Sequence, residues 1–437
     1  MKKKSRLIIV FFVIAVMVMQ PILVCAGTQD FHSKDSFNKT QNEYINSIKF
    51  ETTEDGAIET CELYIRLFRA YSRGGDYCPE VLVTKDNMTN NLLYRKSEAD
   101  YKRTLSERQG FKIVSDSVEL TPTKVILSGK EAIIDIYEKY EYELEEFSDE
   151  VFFRSRLYTF ELIMNKGKWL IKNITTDDPW EKSANFTYCP IDVEKQMESL
   201  ELERLNNGMS NTTENLLNKS EAASSSLYKW TYYPNIAVMY AEDYLQTVNP
   251  LFGSNNANCQ NFASQCVWAG LRGSYSTATA TTTYPSVISA IVGRNSKNVW
   301  ARNDYSNYYS QSYFNWAWDN AAGFAKLIKM STTTTYGPFG NTHYGTLDYA
   351  HKGSVISINW DGNATETTMD HAMVVTKIKS GATVGSINRG DLYVAANSST
   401  TNTAYEPLLN YCGSYPEANY ATCIISCGYY PQAQYNN

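Results

Sequence analysis

Histidine is scarce in this chain: across 437 residues it occurs only as His32, His343, His351 and His371. Any reaction that needs an imidazole must draw on one of these four. The zinc-protease HExxH pattern, the phosphate-binding loop and the glycine-rich dinucleotide fingerprint are all missing, so no metal or cofactor is expected. Asp361-Gly362-Asn363 has the opening residues of a calcium loop without the later acidic ligands, and reads as a turn. Beyond the first residues there is no basic cluster, and the net charge is −7, which argues against nucleic acid as a partner. The longest apolar run, Leu7 to Met19, is short for a membrane span.

That run belongs to an export signal. Lys2, Lys3, Lys4 and Arg6 precede it, and Gln20-Pro21 followed by Val24-Cys25-Ala26 ends it, which is the layout of a secretory peptide (1–26) cut after Ala26. Cys25 would be lost with it, and Val24 fits a lipidation motif poorly. The mature chain is therefore expected outside the cell with no stable membrane association. Export permits disulfides among the remaining cysteines, with Cys61–Cys78 and a pair within Cys412, Cys423 and Cys427 as the simplest guesses.

The length suggests about two or three domains. From 51 to 180, Ile58, Cys61, Ile65 and Phe68 recur at helical spacing, and Gly74-Gly75 stops that helix. Ile134, Ile136, Tyr140, Tyr142 and Leu144 then alternate with charged residues, as do Tyr158, Phe160, Leu162 and Met164, and Asn165-Lys166-Gly167-Lys168 turns the chain. A helix over long antiparallel strands resembles the cone-like α+β fold of nuclear transport factor 2, in pattern only. From 181 to 226 a charged helix, Val193 to Leu205, leads into a polar linker. From 227 to 437 charge falls while Tyr, Trp, Ser, Thr and Asn rise.

The chemistry lies in this last part. Phe262, Cys266, Val267 and Leu271 make a helical stripe, with Gly270 and Gly273 read as its stop, so Cys259 sits in the first turn of a helix. Free N–H groups and the positive end of the dipole there lower a thiol's pKa and can hold an oxyanion. The competing reading of Cys259 is half of a disulfide or a small buried residue. Of the four histidines, His371 opens a strand, Met369 to Thr376, whose partner is Gly353 to Trp360. It is the candidate base, against a purely structural histidine. Asp391 to Asn397 returns as the next strand, and places Asn397 either to orient His371 or to cap the turn at Ser398. Asn258 and Tyr244 are candidate oxyanion or supporting groups. The aromatic stretch Tyr305 to Phe324 reads as a substrate groove or, for Trp316, Trp318 and Phe324, as core.

The blocks YAEDYL…NPLFGSNNANCQNFASQCVWAGL, GSVISINWDG…MDHAMVVTKI and DLYVAANSS resemble the amidase domain of secreted bacterial proteins, a relative of papain-like cell-wall amidases and endopeptidases. The resemblance spans about Tyr233 to Leu409. It implies a papain-like α+β fold, a Cys-bearing helix packed on an antiparallel sheet, with Cys259 as nucleophile and His371 as base. Two positions depart from it: Asn258 replaces the usual Asp, and Asn397-Ser398-Ser399-Thr400 replaces the usual His-Thr-Asn-Asp. The expectation is an α+β, secreted or wall-associated cysteine hydrolase acting on a cell-wall peptide or glycopeptide. Its rival is a decayed binding module of the same fold.

Overall fold

The structure, a computed structural model, describes residues 53–431 with breaks, the longest at 208–226, 250–257, 274–299 and 301–315. Thr53 opens α1 (Glu54–Ser72): its hydroxyl accepts from the Gly56 amide at 3.3 Å, and Glu54 and Asp55 sit at the positive end of the dipole. Helix α2 (Asn90–Gln109) joins it over four long strands, β1 (Ile113–Ser128), β2 (Glu131–Leu144), β3 (Phe147–Asn165) and β4 (Lys168–Thr176). Alternation in β2 buries Ile134, Ile136, Tyr140, Tyr142 and Leu144 as expected, and Glu138 is buried among them because Arg69 meets it at 2.8 Å. Lys166 and Gly167 both take positive φ, at 48° and 77°, which a two-residue hairpin turn demands. Helix α3 (Val193–Asn207) follows, as its charge pattern predicts; most of the polar linker after it lies outside the described residues.

The remaining elements are β5 (Leu227–Thr231), α4 (Pro234–Tyr244), α5 (Cys259–Arg272), α6 (Trp316–Asp319), α7 (Ala321–Met330), β6 (Gly337–Tyr344), β7 (Val355–Asn359), β8 (His371–Ile378), β9 (Leu392–Asn397), β10 (Thr403–Pro407), α8 (Leu408–Cys412) and β11 (Asn419–Pro431). The fold is α+β. The eleven strands form one sheet in the order β1-β2-β3-β10-β9-β8-β7-β11-β5, with β4 against β3 and β6 against β11, and all these pairs are antiparallel. The sequence reading divides the chain at the linker; the sheet crosses that division. Strand β3 pairs with β10 through Arg154 opposite Ala404 and Phe153 opposite Tyr405, and Phe50–Asn437 form one compact unit.

Buried charge accompanies this seam. Arg154 binds Asp178 at 2.6 Å and Glu406 at 3.3 Å, while Arg156 binds Asp178 at 2.7 Å and Glu98 at 3.0 Å. Arg95 pairs with Glu98 and Glu181, and Lys102 approaches Glu98 at 3.4 Å. Cations and anions therefore balance, as buried ions must if their lost hydration is to be offset. Burial alone would raise the Asp178 carboxyl, but Arg154 and Arg156 outweigh it and hold it below its ordinary value.

Helix α5 departs from the expected amphipathic stripe. Thirteen of its fourteen residues are buried, so it runs through the core instead of along its edge. Gly273, with φ of 68°, ends it as read. Gly270 does not stop the helix: it lies within it, where a Cβ would sit 2.4 Å from the Tyr232 ring. Seven cysteines are described, Cys61, Cys189, Cys259, Cys266, Cys412, Cys423 and Cys427, and none of them is in a disulfide. That corrects the guessed pairing within Cys412, Cys423 and Cys427; Cys78 lies outside the described residues.

Candidate active site

Cys259 is the first residue of α5, where amide N–H groups have no carbonyl partner in the preceding turn. Backbone groups of Ala372, of Gln260 and of Cys259 itself favour the charged form of the sulfur. Two of these groups come from the helix start and one from β8, so the fold closes a small cradle of donors around the thiol. Burial is the larger effect and pushes the thiol's pKa up to about 11, against the lowering by these backbone groups. The acidic thiol expected from the helix terminus is thus replaced by a protonated one. The reason is tertiary: only 7% of Cys259 is exposed, and a thiolate would lose its hydration.

What sets the helix start in place is a chain of amides. Asn258 donates to Asn397 Oδ1 at 3.0 Å and accepts from Asn261 Nδ2 at 2.8 Å. Asn397 donates to the Leu245 carbonyl at 2.9 Å, and the Trp318 indole donates to Asn261 Oδ1 at 2.9 Å. The Asn258 amide reaches the Ser398 carbonyl at 3.1 Å. Most polar side chains that the buried helix carries in its first turns are matched: Ser264 donates to the Trp318 carbonyl at 2.6 Å, Gln265 accepts from Tyr240 at 2.6 Å, and Gln260 donates to Ser264 at 3.0 Å while its Oε1 is buried with no hydrogen-bond partner. Trp318 and Phe324 are fully buried and belong to the core. Tyr305 to Phe314 lie outside the described residues.

His371 opens β8 with Ile358 of β7 opposite it. Alternation sends Ala372 and Val374 to the core that holds α5, and Met373 and Val375 to a second cluster on the other side. The imidazole joins that second cluster, tilted 30° to Trp360 and stacked on Tyr411 with centroids 5.8 Å apart in both cases. Its Nε2 meets the Tyr411 hydroxyl at 3.2 Å. Burial lowers its pKa to about 3. The described residues show no hydrogen bond between Cys259 and His371; the backbone of the very next residue, Ala372, is among the groups that lower the thiol's pKa.

The five residues singled out from sequence therefore separate into two groups. Asn258, Cys259 and Asn397 meet directly around the helix start, and Tyr244, stacked on Tyr240 at 4.7 Å, adjoins Leu245, whose carbonyl anchors Asn397. His371 approaches from β8, and its hydrogen bond goes to Tyr411 and not to Asn397. The reason is register: extending the β8–β9 pairing past Val374 opposite Ala395 puts Asn397 across from Ala372, so it shares Ala372's face. His343 stacks on Tyr349 and His351 bonds Ser354, both away from this cradle. Tyr411 was missed because nothing in its local sequence distinguishes it from a core tyrosine.

Residues 231–422 match the family model described as "Putative amidase domain". That match takes in the cradle, His371, Asn397 and Tyr411, and points to amide hydrolysis. No curated protein and no solved structure matches the chain. No helix among the described residues is long and apolar enough to cross a membrane.

Proposed function

We propose that this chain is an exported cysteine hydrolase that cleaves amide bonds, with Cys259 as nucleophile and His371 as base. The observation that carries the reading is the helix start: a thiol on the first residue of a buried helix, held by the Asn258–Asn397–Leu245 chain of hydrogen bonds, with backbone of the helix start and of the residue after a histidine favouring its charged form. In the resting site both groups are neutral, since burial opposes a thiolate and an imidazolium alike. A neutral imidazole is the form able to accept a proton. As the sulfur adds to an amide carbon, its proton passes to His371, and the backbone donors of the cradle take the negative charge that develops on the carbonyl oxygen. His371 then protonates the leaving amine, giving a thioester that water cleaves to the acid. Hydrogen bonds of such pairs commonly tighten only once substrate is bound, which suits the separated geometry here.

Asn397 and Asn258 act in this scheme by holding the helix start. The N-terminal signal, read from Lys2 to Ala26, and the amidase match together favour a cell-wall peptide or glycopeptide as substrate. The test is purified peptidoglycan with the mature chain: release of new amino groups is expected, and Cys259→Ala should abolish it. Release that persists in Cys259→Ala sinks the mechanism; no release from peptidoglycan peptides or amides favours the binding-module reading.

A further inference from the structure

We infer that Tyr411 is the positioning residue of His371, and that it fixes which imidazole nitrogen faces the nucleophile. The inference rests on His371 serving as base. Asn397, the polar residue on the strand next to His371, has its amide committed to Asn258 at 3.0 Å and to the Leu245 carbonyl at 2.9 Å. The side chain that does reach the imidazole is Tyr411, whose hydroxyl lies 3.2 Å from Nε2 and is as deeply buried as the histidine. The two rings also stack, and Trp360 covers the imidazole as well, so its plane is held as well as its edge.

For His371 to accept the thiol proton at Nδ1, the resting proton must sit on Nε2. Tyr411 Oη then accepts that N–H. A phenol suits this task where a carboxylate would not: burial keeps Tyr411 protonated and neutral, so it selects a tautomer without adding a charge.

Tyr411 is in turn held from the other side of the sheet seam. It lies on α8, the short helix that follows β10, and the Arg154 guanidinium of β3 stands 5.2 Å from its ring centroid. Arg154 also binds Glu406 just before α8, and Trp180 meets the Tyr411 ring edge-on at 5.8 Å. Residues from the 51–180 region, outside the amidase match, thus buttress the group that orients the base.

The experiment is nitrogen-15 NMR of the histidine side chains in the full chain, comparing wild type, Tyr411→Phe and Asn397→Ala, with peptidoglycan cleavage measured alongside. Wild-type His371 should be a neutral imidazole with its proton on Nε2. Tyr411→Phe, which keeps the ring and loses only the hydroxyl, should shift the tautomer ratio toward Nδ1–H by about five-fold, the weight of one hydrogen bond. Asn397→Ala should leave the ratio unchanged. A ratio unmoved in Tyr411→Phe overturns the assignment, as does a shift in Asn397→Ala alone. If the phenylalanine variant does not fold, the wild type still decides: a proton on Nδ1 rules the proposal out. Should wild-type protein cut no peptidoglycan, the hydrolase reading fails, while the tautomer result still tells whether Tyr411 orients His371.

Discussion

Replacing His371 by glutamine should make the protein less sensitive to acid. In the folded state burial lowers the imidazole to about 3 from an ordinary 6.5. A group depressed on folding leaves stability intact above its unfolded pKa, and the loss accrues as pH falls toward the folded one. Below 6.5 the unfolded chain binds a proton that the folded chain refuses, so the unfolded state gains. From those two values the penalty is negligible at pH 7, about 2 kcal/mol at pH 5 and about 5 kcal/mol once pH falls below 3. His371→Gln keeps a polar atom for Tyr411 but cannot titrate. Urea unfolding of both proteins at pH 7, 6 and 5 isolates the effect from the carboxylates, which the two share. The gap between wild type and variant should move in the variant's favour by about 2 kcal/mol across that range. A gap that stays constant would mean that His371 protonates as readily folded as unfolded, and the picture of a dry, neutral imidazole would be refuted.

The Cys259 thiol, at about 11 against an ordinary 9.0, should be alkylated by iodoacetamide at pH 8 about 100-fold more slowly than an exposed thiol, with the rate still climbing at pH 10; a plateau below pH 8, read by mass spectrometry of the labelled peptide, would show a resting thiolate instead. Asn258→Ala strips Asn397 Oδ1 and Asn261 Nδ2 of a partner in a buried site, and should cost about 2 kcal/mol in urea unfolding. Arg154→Met leaves Asp178 and Glu406 short of a cation across the β3–β10 seam and should cost about 3–5 kcal/mol, with a single cooperative transition retained if the seam joins one folding unit. A cost under 1 kcal/mol for Arg154→Met would show that water already reaches that pair.

Local patterning carried most of the secondary structure. The alternation in β2 and β3, the positive-φ turn at Lys166-Gly167 and the cap at Gly273 are decided within a few residues, and the described elements follow them. The same holds for Cys259 at a helix start and His371 at a strand start, because each is a statement about one element's boundary. The sequence did not disclose which face of a strand a residue uses relative to its neighbour's: the β8–β9 register puts Asn397 with Asn258 and leaves Tyr411, on another element, beside the imidazole. Nor did it disclose burial on all sides of α5, since Asn261, Ser264 and Gln265 look solvent-facing until partners from distant segments are in place. By itself the sequence determined many of the elements, the α+β class, and the place of Cys259 at a helix start and of His371 at a strand start, since these depend on periodicity and residue type. Only the tertiary structure decided that one sheet joins the two regions, that burial favours the neutral thiol and imidazole, and which side chain meets His371, because pairing register and desolvation are properties of segments brought together from far apart.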